Sequence, residues 1–158
     1  MLDTSILQQV TDVFRTLEAH YTLSINHPSQ REESKQLLEF LNDFQGTSSH
    51  LKVEVQETNG DTFGFALLKN GEKTGISFRG IPNGHEFTSL LLAILNADGK
   101  GKNLPDEGVA RRIRALKGDI HLQTFVSLTC TNCPDVVQTL NIFALLNPNT
   151  RHETVDGA

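Results

Sequence analysis

The sequence predicts an α/β protein in which mixed sheets are flanked by helices and two folds follow one another, the second incomplete. Three observations predict it. Segments with apolar residues at helical spacing alternate with short segments of strand-like alternation. The dipeptide Asn70-Gly71 is a strong signal for a two-residue hairpin. The first series of elements forms a βαβ unit, a hairpin and a closing helix, and the second begins the same way but stops after its second strand.

The first fold is predicted over residues 1–102 and contains no cysteine. Helical spacing predicts helices over about residues 4–19, 29–44 and 84–96, the second of them capped by Ser29. Alternation predicts strands over residues 21–25, 51–55, 62–68 and 73–79, with a polar turn at 59–61. Asn83 and Glu86 fit a capping box at the start of the third helix. This order of elements is that of a complete thioredoxin-like fold.

The second fold is predicted over residues 103–158, after a flexible break at 99–102. Pro105 opens a helix that ends near Gly118, and a strand over 121–128 leads to a second helix over 136–146. A last strand is predicted over 151–155. With only two strands, this second thioredoxin-like fold would leave an exposed sheet edge, which predicts a homodimer or strand exchange between copies.

Composition excludes several classes of function. With 14 basic and 19 acidic residues, the chain of 158 residues has a formal charge of −5, which argues against nucleic acid as a partner. The longest apolar run, Leu90–Leu95, is far shorter than the roughly 20 residues that a membrane span needs. The N-terminus has no basic region and no cleavage pattern of a secretory signal. We therefore expect a cytoplasmic protein without membrane partners.

The two cysteines, Cys130 and Cys133, stand three positions apart between a predicted strand and a predicted helix. Unpaired N–H groups at a helix N-terminus favour an anion and lower the pKa of a cysteine below about 8.5. We expect Cys130, the more exposed sulfur, to attack a partner disulfide and Cys133 to resolve the mixed disulfide. If Cys130 is the N-cap, Pro134 removes the N–H that would bond the Cys130 carbonyl and loosens the first turn.

Two other interpretations of the cysteine pair remain open. A zinc site would need two further ligands, which His121 and His152 could supply. The cysteines could also be reduced, buried core residues. The spacing and the position at a strand-to-helix corner favour a redox dithiol with no metal.

Several blocks of the sequence closely resemble one family. Gly84–Leu90 and Ser127–Gln138, together with the blocks at 145–148 and 155–157, resemble the N-terminal domain of the flavoprotein subunits of alkyl hydroperoxide reductases. The resemblance covers essentially the whole chain and implies two fused thioredoxin-like folds, of which only the second carries a CxxC motif. Family chains continue beyond the matching Asp-Gly, so we expect an N-terminal fragment truncated within its second fold.

The resemblance also implies a function. In this family NADH reduces FAD in a C-terminal part, whose dithiol reduces the N-terminal CxxC pair, here Cys130 and Cys133. That pair reduces the disulfide of a partner, the peroxiredoxin component of the alkyl hydroperoxide reductase, which destroys hydroperoxides. Glu86 matches an acid thought to assist proton transfer at the dithiol, and helix capping is its competing role. The chain has no GxGxxG motif, so FAD and NAD are expected only in the missing part. A docking module without competent chemistry is the alternative function.

Overall fold

The computed structural model describes residues 2–27, 32–57 and 63–157. The α-helices are α1 (Thr4–Phe14), α2 (Glu32–Gln45), α3 (Phe87–Ala97), α4 (Glu107–Arg114) and α5 (Cys133–Leu146). The strands are β1 (Tyr21–His27), β2 (Leu51–Glu57), β3 (Gly64–Lys69), β4 (Glu72–Arg79), β5 (Ile120–Val126) and β6 (Thr150–Asp156). A 3-10 turn, Gly84–Glu86, precedes α3. The predicted cap at Ser29, the turn at 59–61 and the strand start at Thr62 lie outside the described residues.

The strands of both halves belong to a single mixed sheet with the order β2-β1-β3-β4-β6-β5. Strand β1 pairs in parallel with β2 and antiparallel with β3, and β3 continues antiparallel into β4. Strand β6 pairs in parallel with both β4 and β5. The predicted α/β class with thioredoxin-like element order is therefore confirmed, whereas the division at residue 102 stays a prediction.

The pairing of β4 with β6 corrects the expected position of the exposed edge. We expected both strands of the second half to lack outer partners, but β6 lies inside the sheet because Ile76–Arg79 of β4 pair with His152–Val155. Among the described strands, β5 forms the edge on this side. Any strand pairing with another chain would therefore use β5 rather than β6.

The hairpin between β3 and β4 forms as its sequence predicts. Asn70 and Gly71 have φ angles of 50° and 83°, and two positive φ values are what a type I′ turn requires. The Asn70 side chain also accepts a hydrogen bond from the backbone N–H of His20 (3.0 Å). The turn therefore contacts the start of β1 as well as closing the hairpin.

The core of the first half packs three helices against one another and against the sheet. The apolar spacing of α2 buries Leu37, Phe40, Leu41 and Phe44 on one side of the helix. Phe44 meets Phe14 of α1 edge-to-face (5.6 Å between ring centroids), and both Phe40 and Phe44 meet Phe87 of α3 in the same way. This packing fixes where α3 begins, and with it the position of the 3-10 turn.

Helix α1 is shorter than its apolar spacing predicted, because a tertiary contact interrupts it. The pattern suggested a helix to residue 19, yet α1 ends at Phe14. The backbone N–H groups of Glu18 and Ala19 instead donate to the carboxylate of Asp98, at 3.1 and 3.0 Å. No helix within the described ranges is long and apolar enough to cross a membrane.

Candidate active site

The two cysteines lie in the turn between β5 and α5 and are joined by a disulfide bond. Strand β5 ends at Val126, and the N–H of Cys130 then donates to the carbonyl of Ser127 (3.0 Å) to form a turn. The two Cα atoms are 5.6 Å apart, well within the usual range for a disulfide. Both cysteines are half-buried, so the attacking sulfur stays a prediction.

Helix α5 begins at Cys133, with Asn132 as its N-cap. Cys130 therefore lies before the helix and is not its N-cap, as the sequence had suggested. Pro134 falls within the first helical turn, where backbone N–H groups have no partner inside the helix, so it loosens no bond of this helix. The N–H of Cys133 instead donates to the sulfur of Cys130 (3.2 Å), a contact that favours a thiolate at Cys130.

The histidines proposed as zinc ligands do not converge on the cysteines. His152 is fully buried, and its ring nitrogens contact Oδ1 of Asn141 and Oγ1 of Thr124, both at 2.7 Å. His152 pairs in register with Leu122, so the neighbouring His121 lies on the opposite face of the sheet and is exposed. Within the described ranges, no group of three or more His, Cys, Asp or Glu side chains could hold a metal ion.

Glu86 is a buried acid without a hydrogen-bond partner. Its side chain is 1% exposed, and neither carboxylate oxygen bonds to any described group. Burial raises the pKa of Glu86, and the nearby Ser89 hydroxyl and the charge of His85 only partly offset that effect.

The capping box predicted for Glu86 is wrong. Asn83 uses its side chain to accept from the N–H of Gly84 (2.8 Å), and the carboxylate of Glu86 caps nothing. The reason is the 3-10 turn, which starts immediately after Asn83 and delays the α-helix to Phe87. Capping therefore does not account for an acid at this position.

The turn that carries Glu86 packs directly on the loop that leads to Cys130. The N–H of His85 donates to the carbonyl of Leu128 (3.1 Å). Gly84 has a φ of +55°, and a Cβ at this position would lie 2.7 Å from the Leu128 oxygen, so only glycine permits this approach. Glu86, Leu128 and Thr154 line a small crevice of about 10 Å³ between the two halves.

A second contact joins the same two halves beside Glu86. Nε2 of Gln138 on α5 donates to Oγ of Ser89 on α3 (3.3 Å), and Ser89 is fully buried. Sequence reasoning missed both residues because Ser and Gln within helices belong to no recognisable motif. The usable signal was position, since Ser89 follows Glu86 by three residues and Gln138 follows Cys133 by five.

Comparisons with known proteins agree with this geometry. No protein-family model matches the chain. Over its full length the chain is 39% identical to a Bacillus subtilis protein named NADH dehydrogenase and 39% identical to the alkyl hydroperoxide reductase flavoprotein, AhpF, of Staphylococcus epidermidis. It spans only 30% and 31% of the length of these two relatives.

Solved structures with the same fold extend the comparison. The NTD_N/C domain of alkylhydroperoxide reductase AhpF from Enterococcus faecalis superimposes with a TM-score of 0.88 and 31% identity, over 99% of this chain and 80% of that one. A protein disulfide oxidoreductase from Aeropyrum pernix gives a TM-score of 0.84 and 21% identity, over 99% and 76% of the two chains. The second likeness bears on the fold alone.

Proposed function

The chain belongs to the family of N-terminal domains of the alkyl hydroperoxide reductase AhpF, and from this membership we propose that it relays electrons by thiol–disulfide exchange. The electron donor is the dithiol of the flavoprotein's C-terminal part, and the acceptor is the disulfide of the peroxiredoxin component of the reductase. The relay serves hydroperoxide detoxification in the cytoplasm.

One observation carries the proposal: Cys130 and Cys133 form a disulfide at a strand-to-helix corner, with the N–H of Cys133 on the sulfur of Cys130. A half-buried disulfide in such a turn is accessible to a partner sulfur. After reduction, the same N–H stabilises a thiolate at Cys130, and the thiolate is the form that attacks a disulfide.

The exchange balances in two steps. The Cys130 thiolate attacks one sulfur of the peroxiredoxin disulfide, an intermolecular S–S bond forms, and the departing partner sulfur takes up a proton. Cys133 then loses its proton and attacks the sulfur of Cys130, which releases the second partner thiol. The partner gains two electrons and two protons, and the Cys130–Cys133 disulfide is restored. The donor dithiol reduces it again by the same chemistry in reverse.

Glu86 supplies the proton movement at Cys133 in this proposal. Its turn packs on Leu128, two residues before Cys130, and its carboxylate is buried with no competing partner. The raised pKa makes it a proton donor to the Cys133 thiolate when the disulfide is reduced, and a proton acceptor in the reverse direction.

The flavin and the nicotinamide belong to the C-terminal part of the relatives in this proposal. The chain contains no GxGxxG motif, so its residues do not fit the family's dinucleotide site. FAD supplies the two electrons that originate from NADH. The residues of this chain receive them only as a reduced Cys130–Cys133 dithiol.

A disulfide-reduction assay with an oxidised peroxiredoxin tests the function. We expect Cys130→Ser to abolish reduction and Cys133→Ser to accumulate a mixed disulfide with the partner, visible on a non-reducing gel. If neither thiol of the reduced wild type reacts below about pH 8, the catalytic proposal fails. Partner binding that survives both substitutions, with no reduction by the wild type, would identify the docking module instead.

A further inference from the structure

The hydrogen bond between Gln138 and Ser89 links the helix of the cysteines to the helix that follows Glu86. Gln138 lies on α5, which begins at Cys133, and Ser89 lies in the first turn of α3. The bond is 3.3 Å long, and Ser89 is wholly inaccessible to solvent. Because the bond joins residues 49 positions apart, it depends on the packing of the two halves and not on either helix alone.

The direction of this bond determines where the Ser89 proton can point. A hydroxyl has one proton to donate and two lone pairs to accept with. When the Gln138 amide donates to Oγ, the proton of Ser89 remains available for another acceptor. Both carboxylate oxygens of Glu86 lack a partner, and Ser89 is close enough to lower the pKa of Glu86.

We propose that Gln138 is a positioning residue that turns the Ser89 hydroxyl toward Glu86, so that the carboxylate is stabilised whenever Glu86 gives up its proton. Since Gln138 and Cys133 share one helix, the acid and the dithiol are connected through a single chain of side chains. This inference rests on the proton role proposed for Glu86, and it names the residues that tune that role.

Other charged groups also face the crevice. His85 lies beside Glu86 in the same turn and favours its ionised form. Arg79 of β4 and Asp156 of β6 line the crevice, and Arg79 is paired with Glu153 (3.2 Å). None of these groups changes in the variants proposed below. In the disulfide form the cysteines do not titrate, so that form isolates the ionisation of Glu86.

The test is the ionisation of Glu86 measured in the oxidised protein by ¹³C NMR of its side-chain carboxyl group. In Gln138→Leu the hydroxyl of Ser89 loses its orientation, and in Ser89→Ala it is absent. A hydrogen bond to a charged group is lost in both, so we expect the pKa of Glu86 to rise by about one unit, a tenfold change in its ionisation constant. The double variant should shift no further than either single variant, because both remove the same interaction.

Controls separate this inference from the proposed function. Thr139→Val alters an exposed neighbour on α5 and should leave the ionisation of Glu86 unchanged. An unchanged Glu86 ionisation in both Gln138→Leu and Ser89→Ala would overturn the positioning role, and Ser89→Ala keeps the test decisive if Gln138→Leu folds poorly. The proton role of Glu86 is tested apart, by the pH profile of disulfide reduction in Glu86→Gln, and a wild-type profile there contradicts that role alone.

Discussion

His152 should make the protein less stable as the pH falls below 7. The side chain is fully buried between Thr124 and Asn141, with both ring nitrogens engaged. Burial lowers the pKa of His152 to about 4, and the nearby charge of Glu153 offsets this effect only partly. The unfolded chain binds the proton near pH 6.5, whereas the folded protein binds it only near pH 4, so acid favours unfolding in this interval.

The size of the effect follows from the two pKa values. Their difference of about 2.5 units, at 1.36 kcal/mol per unit, gives a loss of about 3 kcal/mol in the free energy of unfolding. The loss begins near pH 6.5, develops as the pH falls and is complete a little below pH 4. Above pH 7 the histidine is neutral in both states and contributes no pH dependence.

Urea denaturation followed by circular dichroism at a series of pH values measures this loss. His152→Gln removes the titrating group, so its free energy of unfolding should fall less than that of the wild type between pH 7 and pH 4, by about 3 kcal/mol. His121→Gln changes an exposed histidine on the other face of the sheet and serves as the matched control. Parallel pH curves for the wild type and His152→Gln would refute the reasoning.

Three further predictions concern other parts of the fold. Asp98 is buried, but hydrogen bonds from Lys100, Ala19, Glu18 and Tyr21 outweigh burial and lower its pKa to about 2, so Asp98→Asn should cost about 2 kcal/mol at pH 7. In urea denaturation this difference should shrink as the pH falls from about 4 to 2, and a constant difference would contradict it. Gly84→Ala should destabilise more than Gly118→Ala, by at least about 1 kcal/mol in thermal melts, because both have positive φ but only Gly84 approaches a backbone oxygen. Phe125 is 67% exposed on the edge strand β5, so light scattering should show concentration-dependent self-association that Phe125→Lys removes; a monomer at every concentration contradicts this.

Local sequence signals predicted the type of nearly every element, because each signal acts within a few residues. The Asn70-Gly71 turn depends only on its own φ preferences, and α2 depends on the spacing of its apolar side chains. The end of α1 could not be predicted, since it depends on the carboxylate of Asp98, about 80 residues away. The pairing of β4 with β6 is of the same kind, because nothing in either strand names its partner.

The candidate site shows the same division between local and distant information. The spacing of Cys130 and Cys133 sufficed to predict a dithiol, and the disulfide is present. The start of α5 was misplaced because Val136 seemed to open its apolar pattern, whereas the helix begins at Cys133. The burial of Glu86 and its approach to Leu128 arise from the packing of two halves, which a spacing pattern does not encode.

The parallel pairing of β4 with β6 has a consequence for how electrons travel through the protein. A hinge motion between the halves would have to break the backbone ladder from Ile76–Arg79 to His152–Val155, together with the contact of His85 with Leu128. The dithiol therefore cannot swing between its donor and its acceptor on one half of this chain. Each partner must instead come to the same stationary pair of sulfurs in turn, which makes the two encounters mutually exclusive.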